Sequence, residues 1–304
     1  MIPDTPLDLA WLNRFDADVE ISIGRLVVPA KQFHEVSVDV KVADGRLELE
    51  RLTAAGSAGG SLDGSLVLEP AESGFRLRSQ MAAHALRLDI AGSEIEGADL
   101  PPIDIDIDLE ATGGTPHELA SSANGSMELV VGRGVMDSEI LDVVSADILL
   151  TLLKAFNPFT TDGAPSELQC GVALLSFVDG LAKLEPMAFQ SNKMTLLGNG
   201  KIDLRTEKLD LEWVTKPRKG IGISASMITN PYIKLGGTLA NPSIELKPLE
   251  AVTSTGVAVA TMGISLAAKG LFDRITAERK VCHKALEEID ARTHPSDGTP
   301  SPKN

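Results

Sequence analysis

The stretch from Leu168 to Trp213, LQCGVALLSFVDGLAKLEPMAFQSNKMTLLGNGKIDLRTEKLDLEW, decides the fold. Apolar and polar residues alternate along much of it, and successive side chains of a strand point to opposite faces, so it reads as strands. Asp179-Gly180 and Asn199-Gly200 tolerate the positive φ of two-residue hairpin turns, which makes the stretch a β-meander. Phe33 to Pro70, FHEVSVDVKVADGRLELERLTAAGSAGGSLDGSLVLEP, repeats the plan with Asp44-Gly45 and Asp63-Gly64 as its expected turns.

The same alternation extends outward. Asp18 to Val28 reads as a strand after a short helical turn at Ala10 to Arg14. Val36, Val38, Val40 and Val42 share one face, continued by Leu47 and Leu49 with Arg46, Glu48 and Glu50 opposite, and then by Leu66 and Leu68. In Ile103-Asp104-Ile105-Asp106-Ile107-Asp108-Leu109-Glu110 one face is wholly aliphatic and the other wholly acidic. Carboxylates on one strand face lie roughly 7 Å apart, and no loop of calcium-binding spacing accompanies these, so they read as a solvated outer face that discourages edge pairing. Late in the chain Ile202, Leu204, Leu209 and Leu211 belong to one surface, with Lys201, Asp203, Lys208 and Asp210 opposite. Ile233 and Leu235 alternate in the same way before Gly236-Gly237 breaks their strand.

Two regions change period. From Asp137 the apolar positions Ile140, Leu141, Val144, Ile148, Leu152 and Phe156 form a helical stripe that ends at Asn157-Pro158 and needs an apolar surface to lie on, as a plug or cap for the sheet. Ala251 to Ala268 is uncharged but rich in Ala, Thr, Ser and Gly, too weakly apolar for a membrane span. Helical spacing continues through Leu271, Ile275, Cys282, Leu286 and Ile289, and the Pro/Ser/Gly-rich end reads as disordered. The expected organisation is therefore 1–136, the N-terminal part of the sheet; 137–157, the amphipathic helix; 158–250, the C-terminal meander; 251–290, C-terminal helices; and 291–304, a tail.

Composition narrows the function. A chain of 304 residues with 43% apolar content can bury a sizeable core, and 4% aromatic content makes that core aliphatic. A formal charge of −15 without a basic stripe excludes a nucleic-acid binder. Lys219-Gly220-Ile221-Gly222-Ile223-Ser224 lacks the third glycine and the Lys-Ser/Thr of a phosphate loop. The histidines, His34, His84, His117, His283 and His294, have no metal-ligand spacing, and no GxSxG elbow occurs, so neither an enzyme nor a cofactor or metal protein is expected. Met1 is followed by IPDTPLDLAW, which carries neither a secretion signal nor a membrane anchor and reads as the interior of a longer chain.

The ordered succession LQCGVALLSFVDGLAKLEPMAF, LLGNGKIDLRTEKLDLEW, NPYIKLGGTLANPSIEL and LFDRITAERKVCHKAL resembles the C-terminal region of the AsmA family, envelope proteins related to TamB. The resemblance implies an elongated, twisted, mostly antiparallel sheet curled into a groove of the repeating β-groove type, with an inserted amphipathic helix and a helical C-terminus. It implies a periplasmic protein, held to the inner membrane in its full-length form, that conducts phospholipid acyl chains between the inner and outer membranes and has envelope protein partners. The groove would be lined by Leu47, Leu49, Leu66 and Leu68, by Ile103, Ile105 and Ile107, and by Ile202, Leu204, Leu209, Leu211, Ile233 and Leu235. An assembly scaffold for outer-membrane proteins, with a self-filled sheet and no lipid, is the alternative. In an oxidising periplasm Cys170 and Cys282 could pair and tie the terminal helix to the meander, the alternative being a buried thiol at Cys282.

Overall fold

The structure, a computed structural model, describes residues 2–28, 31–87, 99–136, 166–192, 194–217, 231–248 and 282. The expected helix at Asp137 to Phe156, the C-terminal helices and the tail lie outside the described residues, apart from Cys282.

Among the described residues, alternation becomes one antiparallel sheet of 14 strands. In chain order these are β1 (Ala17–Val28), β2 (Lys31–Ala43), β3 (Arg46–Gly56), β4 (Ser61–Ala71), β5 (Gly74–Leu86), β6 (Ile103–Gly113) and β7 (Asn124–Val131). They continue as β8 (Gly134–Met136), β9 (Ser166–Val178), β10 (Leu181–Ser191), β11 (Met194–Asp203), β12 (Lys208–Pro217), β13 (Pro231–Gly237) and β14 (Pro242–Pro248). Spatial order follows chain order, except that β7 pairs directly with β9 and the short β8 adds to β9 beside it. Each hairpin thus pairs with the next, and the sheet grows along the direction perpendicular to its strands.

Two of the four expected turns are turns. Asp44-Gly45 joins β2 to β3 with φ of 51° and 75°, and Asp179-Gly180 joins β9 to β10 with 47° and 73°, the doubly positive pattern that matches strand twist. The other two lie inside strands. Asp63-Gly64 falls within β4, and the chain reverses earlier, at residues 57–60, where Gly59 and Gly60 take φ of 106° and 82°. Asn199-Gly200 falls within β11, and that strand turns instead at residues 204–207, with Glu207 at φ 56°. Both strand glycines answer to a neighbour: a Cβ on Gly64 would strike the Met81 thioether, and one on Gly200 the β12 backbone at Asp210 and Leu211.

The β6–β7 connection contains the short helix α1 (Pro116–Ser121), which the alternation argument passed over. Its signature is in the sequence. Thr115 caps it by accepting a 3.1 Å bond from the Glu118 amide, Pro116 occupies the first turn, and Glu118 reaches back to accept from the Gly114 amide at 2.6 Å. The N-terminal segment runs past this corner: Leu7 donates to the Gly114 carbonyl at 2.8 Å, His117 donates to the Pro3 carbonyl at 3.0 Å, and the Ile2 amide reaches Glu207 Oε1 at 2.7 Å. The Thr115 hydroxyl also donates to Asp4 at 2.9 Å, so one side chain holds both the helix and the segment. Thr115→Ala is therefore expected to lower stability by about 1 kcal/mol and to speed proteolysis of residues 2–9. Unchanged protease sensitivity would mean that the segment is held elsewhere.

Candidate functional site: a continuous apolar face

Residues directly opposite in an antiparallel pair share a face, so the registers can be followed from strand to strand. One row reads Ile21, Val38, Leu52, Gly64, Met81, Ile107, Met127, Leu175, Leu184, Gly200, Leu211 and Leu235. It passes through every strand from β1 to β13 except β8 without meeting a polar residue. At the usual strand spacing its path length is on the order of 50 Å. Bulges maintain it: β3 takes an extra residue between Leu49 and Leu52, and β10 is shifted between Glu185 and Ala188.

The structure places twelve of the thirteen expected lining residues on this face by register. Leu47 pairs with Leu68 and Leu49 with Leu66, while Ile103, Ile105 and Ile107 pair with Val131, Leu129 and Met127. Ile202 pairs with Leu209, Leu211 with Leu235, and Trp213 with Ile233. Leu204 is the exception, because β11 ends at Asp203 and Leu204 belongs to the turn, its amide bonded to the Gly180 carbonyl at 2.8 Å. Met81, Met127, Leu175 and Leu184 were missing from the expected set, although each alternates in phase with its strand. Glycine and bulk also complement each other here: Gly198 leaves the room that the Trp213 indole fills, and Gly171 does the same for the Phe189 ring.

Burial varies along the face. At the β1 end Val19 and Ile21 are 43% and 42% exposed, and Leu49, Leu66, Ile105 and Ile107 are half-buried. At the other end Leu209, Leu211, Trp213, Ile233 and Leu235 form a closed core with Ala173 and Leu184, and Leu235 is wholly buried. Of the expected lining residues, Leu68, Leu209, Leu211, Ile233 and Leu235 are buried. Partly exposed apolar residues occur along the whole face, from Leu49 and Leu66 to Leu175, Met187, Leu196 and Ile202.

The opposite face is polar along β2 to β6. Asp104 accepts from the Ala85 amide at 2.8 Å, Asp108 from the Gln80 amide group at 3.3 Å, and Glu110 meets Arg76 and Arg78 at 3.5 and 3.7 Å. These are solvated pairs that contribute little to stability. A depression of about 810 Å³ also lies on this side, bordered by Arg51, Asp63, Gln80, Asp106, Asp108 and Glu128. A twisted sheet is saddle-shaped and has a concave diagonal on each face, and this one carries charges unsuited to acyl chains. Among the described residues no group of His, Cys, Asp or Glu is placed to hold a metal ion. At the β11–β12 turn Arg205 donates to Asp203 from Nε at 3.0 Å and Nη2 at 3.1 Å. This holds the exposed carboxyl below its ordinary range and raises the guanidinium, so the staple is present at neutral pH and lost as pH falls through the lowered carboxyl value.

Comparison with known proteins identifies the family. The AsmA family profile matches residues 1–171, more than half of the chain. A stretch of 281 residues, 90% of this chain, is 25% identical to the AsmA family protein YhjG of Escherichia coli strain K12 and covers 40% of that relative's length. No solved structure matches the chain.

Proposed function

Because this chain belongs to the AsmA family, whose members are envelope-associated, we propose that its apolar sheet face is a passive surface carrying phospholipid acyl chains between the two membranes of a bacterial envelope. The observation that carries the reading is the unbroken apolar row from Ile21 to Leu235. An acyl chain is solvated by aliphatic side chains while its headgroup stays in water, and a row crossing strand after strand offers that environment in the direction in which the sheet grows. The half-buried Leu49, Leu66, Ile105 and Ile107 are the positions where tails would lie. The reading is of a carrier without catalysis or cofactor. A Cys170–Cys282 disulfide favours an oxidising compartment such as the periplasm.

Photo-crosslinking amino acids at Leu49, Leu66 and Ile105, expressed in envelope-bearing cells, are expected to capture phospholipid several-fold more than the same groups at Glu48, Arg78 and Asp108. Equal capture on the two faces, or protein-internal adducts alone from the apolar one, would reject lipid conduction and leave a scaffold for envelope assembly.

A further inference from the structure

Among the described residues, a cluster of apolar side chains also occurs on the polar side of the sheet, across β7, β9, β10 and β11. Val130, Val172, Ala188 and Leu197 lie opposite one another across β7, β9, β10 and β11, an odd number of register steps from the apolar row once the β10 bulge is allowed for, and therefore on the other face. With Leu174 they form a second core in which Val172 and Ala188 are fully buried and Leu174 and Leu197 are 2% exposed. Gln190, Thr195 and Glu212 are buried on the same side, whereas Arg51, Asp63, Asp106 and Asp108 of β3 to β6 are exposed there. β14 ends at Pro248, and Cys282 lies within this core, joined to Cys170 of β9 and with its sulfur 4.0 Å from the Ala188 carbonyl oxygen.

We propose that this second apolar surface docks the protein's own C-terminal segment, whose stripe Cys282, Leu286 and Ile289 has the spacing of one helix face, and that the disulfide fastens it there. The fastened segment leaves the sheet with one accessible apolar face. This inference does not rest on lipid conduction, since the segment covers the face away from the proposed path.

The test uses the full chain, oxidised or reduced in place with dithiothreitol, beside Cys170→Ala/Cys282→Ala and Leu286→Asp/Ile289→Asp. A photo-crosslinker at Val130 is expected to link to residues 283–290 in the oxidised protein. Reduction is expected to raise protease cleavage within 249–304 about tenfold and to increase binding of a hydrophobic dye, with the sheet's circular dichroism retained. The aspartate variant, which keeps both cysteines, is expected to show the same dye binding. Crosslinks that go elsewhere in the chain, or cleavage and dye binding unchanged by reduction, would overturn the proposal. Crosslinks between copies would assign the surface to a second molecule and overturn it equally. Should the alanine variant fail to fold, reduction of the already folded protein decides the question.

Discussion

Leu235→Asp is expected to lower the unfolding free energy by about 4 kcal/mol or more, while Leu49→Asp on the same face costs about 1–2 kcal/mol. Leu235 is wholly buried in an apolar core it shares with Leu211 and Trp213, where a carboxylate would lose its hydration. Leu49 is only half-buried, so a carboxylate there keeps part of its hydration. Urea midpoints measured by circular dichroism at constant slope make the comparison. The sign of its pH dependence follows from burial, which raises the folded-state pKa of the introduced acid. The loss is therefore full above that raised value and recedes as pH falls through it. Equal losses at the two positions would mean that the face is closed along its whole length, which would remove the space assigned to acyl chains.

Cys170→Ala/Cys282→Ala is expected to cost about 4 kcal/mol, the loop-closure entropy that the chain-entropy model assigns to a loop of about a hundred residues. The bond spans 112 positions, and its Cα atoms are 6.2 Å apart. The stabilisation comes from restricting the unfolded chain, so oxidised and reduced wild-type protein should differ by nearly as much as wild type and variant. A difference below about 1 kcal/mol would show that the C-terminal segment is no constraint on the fold, which also bears on its assignment as a fastened cover.

The elements that were legible in the sequence are those set by neighbouring residues. Ile103 to Glu110 had to be a strand with an aliphatic and an acidic face, and it is β6. Asp44-Gly45 and Asp179-Gly180 had to turn, because their flanks alternate on both sides and both residues accept positive φ. The cap of α1 was equally local, Thr115-Pro116-His117-Glu118, and was passed over because the period-two pattern around it is stronger. Asp63-Gly64 and Asn199-Gly200 carry the same turn chemistry yet lie inside strands. Their glycines serve close approach to Met81 and to the β12 backbone, neighbours 17 and about ten residues away that no short window contains. For the candidate site, alternation assigned the expected leucines and isoleucines to a face, and Leu204 failed only because its strand stopped one residue earlier.

By itself the sequence determined which residues alternate, hence that the chain is β-rich, aliphatic and amphipathic, because the direction of a side chain along a strand depends only on the backbone period. Only the tertiary structure decided how the faces join and which parts are covered. The bulges at β3 and β10 bring the separate alternations into one row. The uninterrupted apolar run Val172 to Leu175 belongs half to one core and half to another, because β9 is buried on both sides. Whether a strand residue ends at a reachable surface, as Leu49 does, or in a sealed core, as Leu235 does, depends on what distant chain packs above it, and burial of that kind is a property of the assembled sheet and its cover.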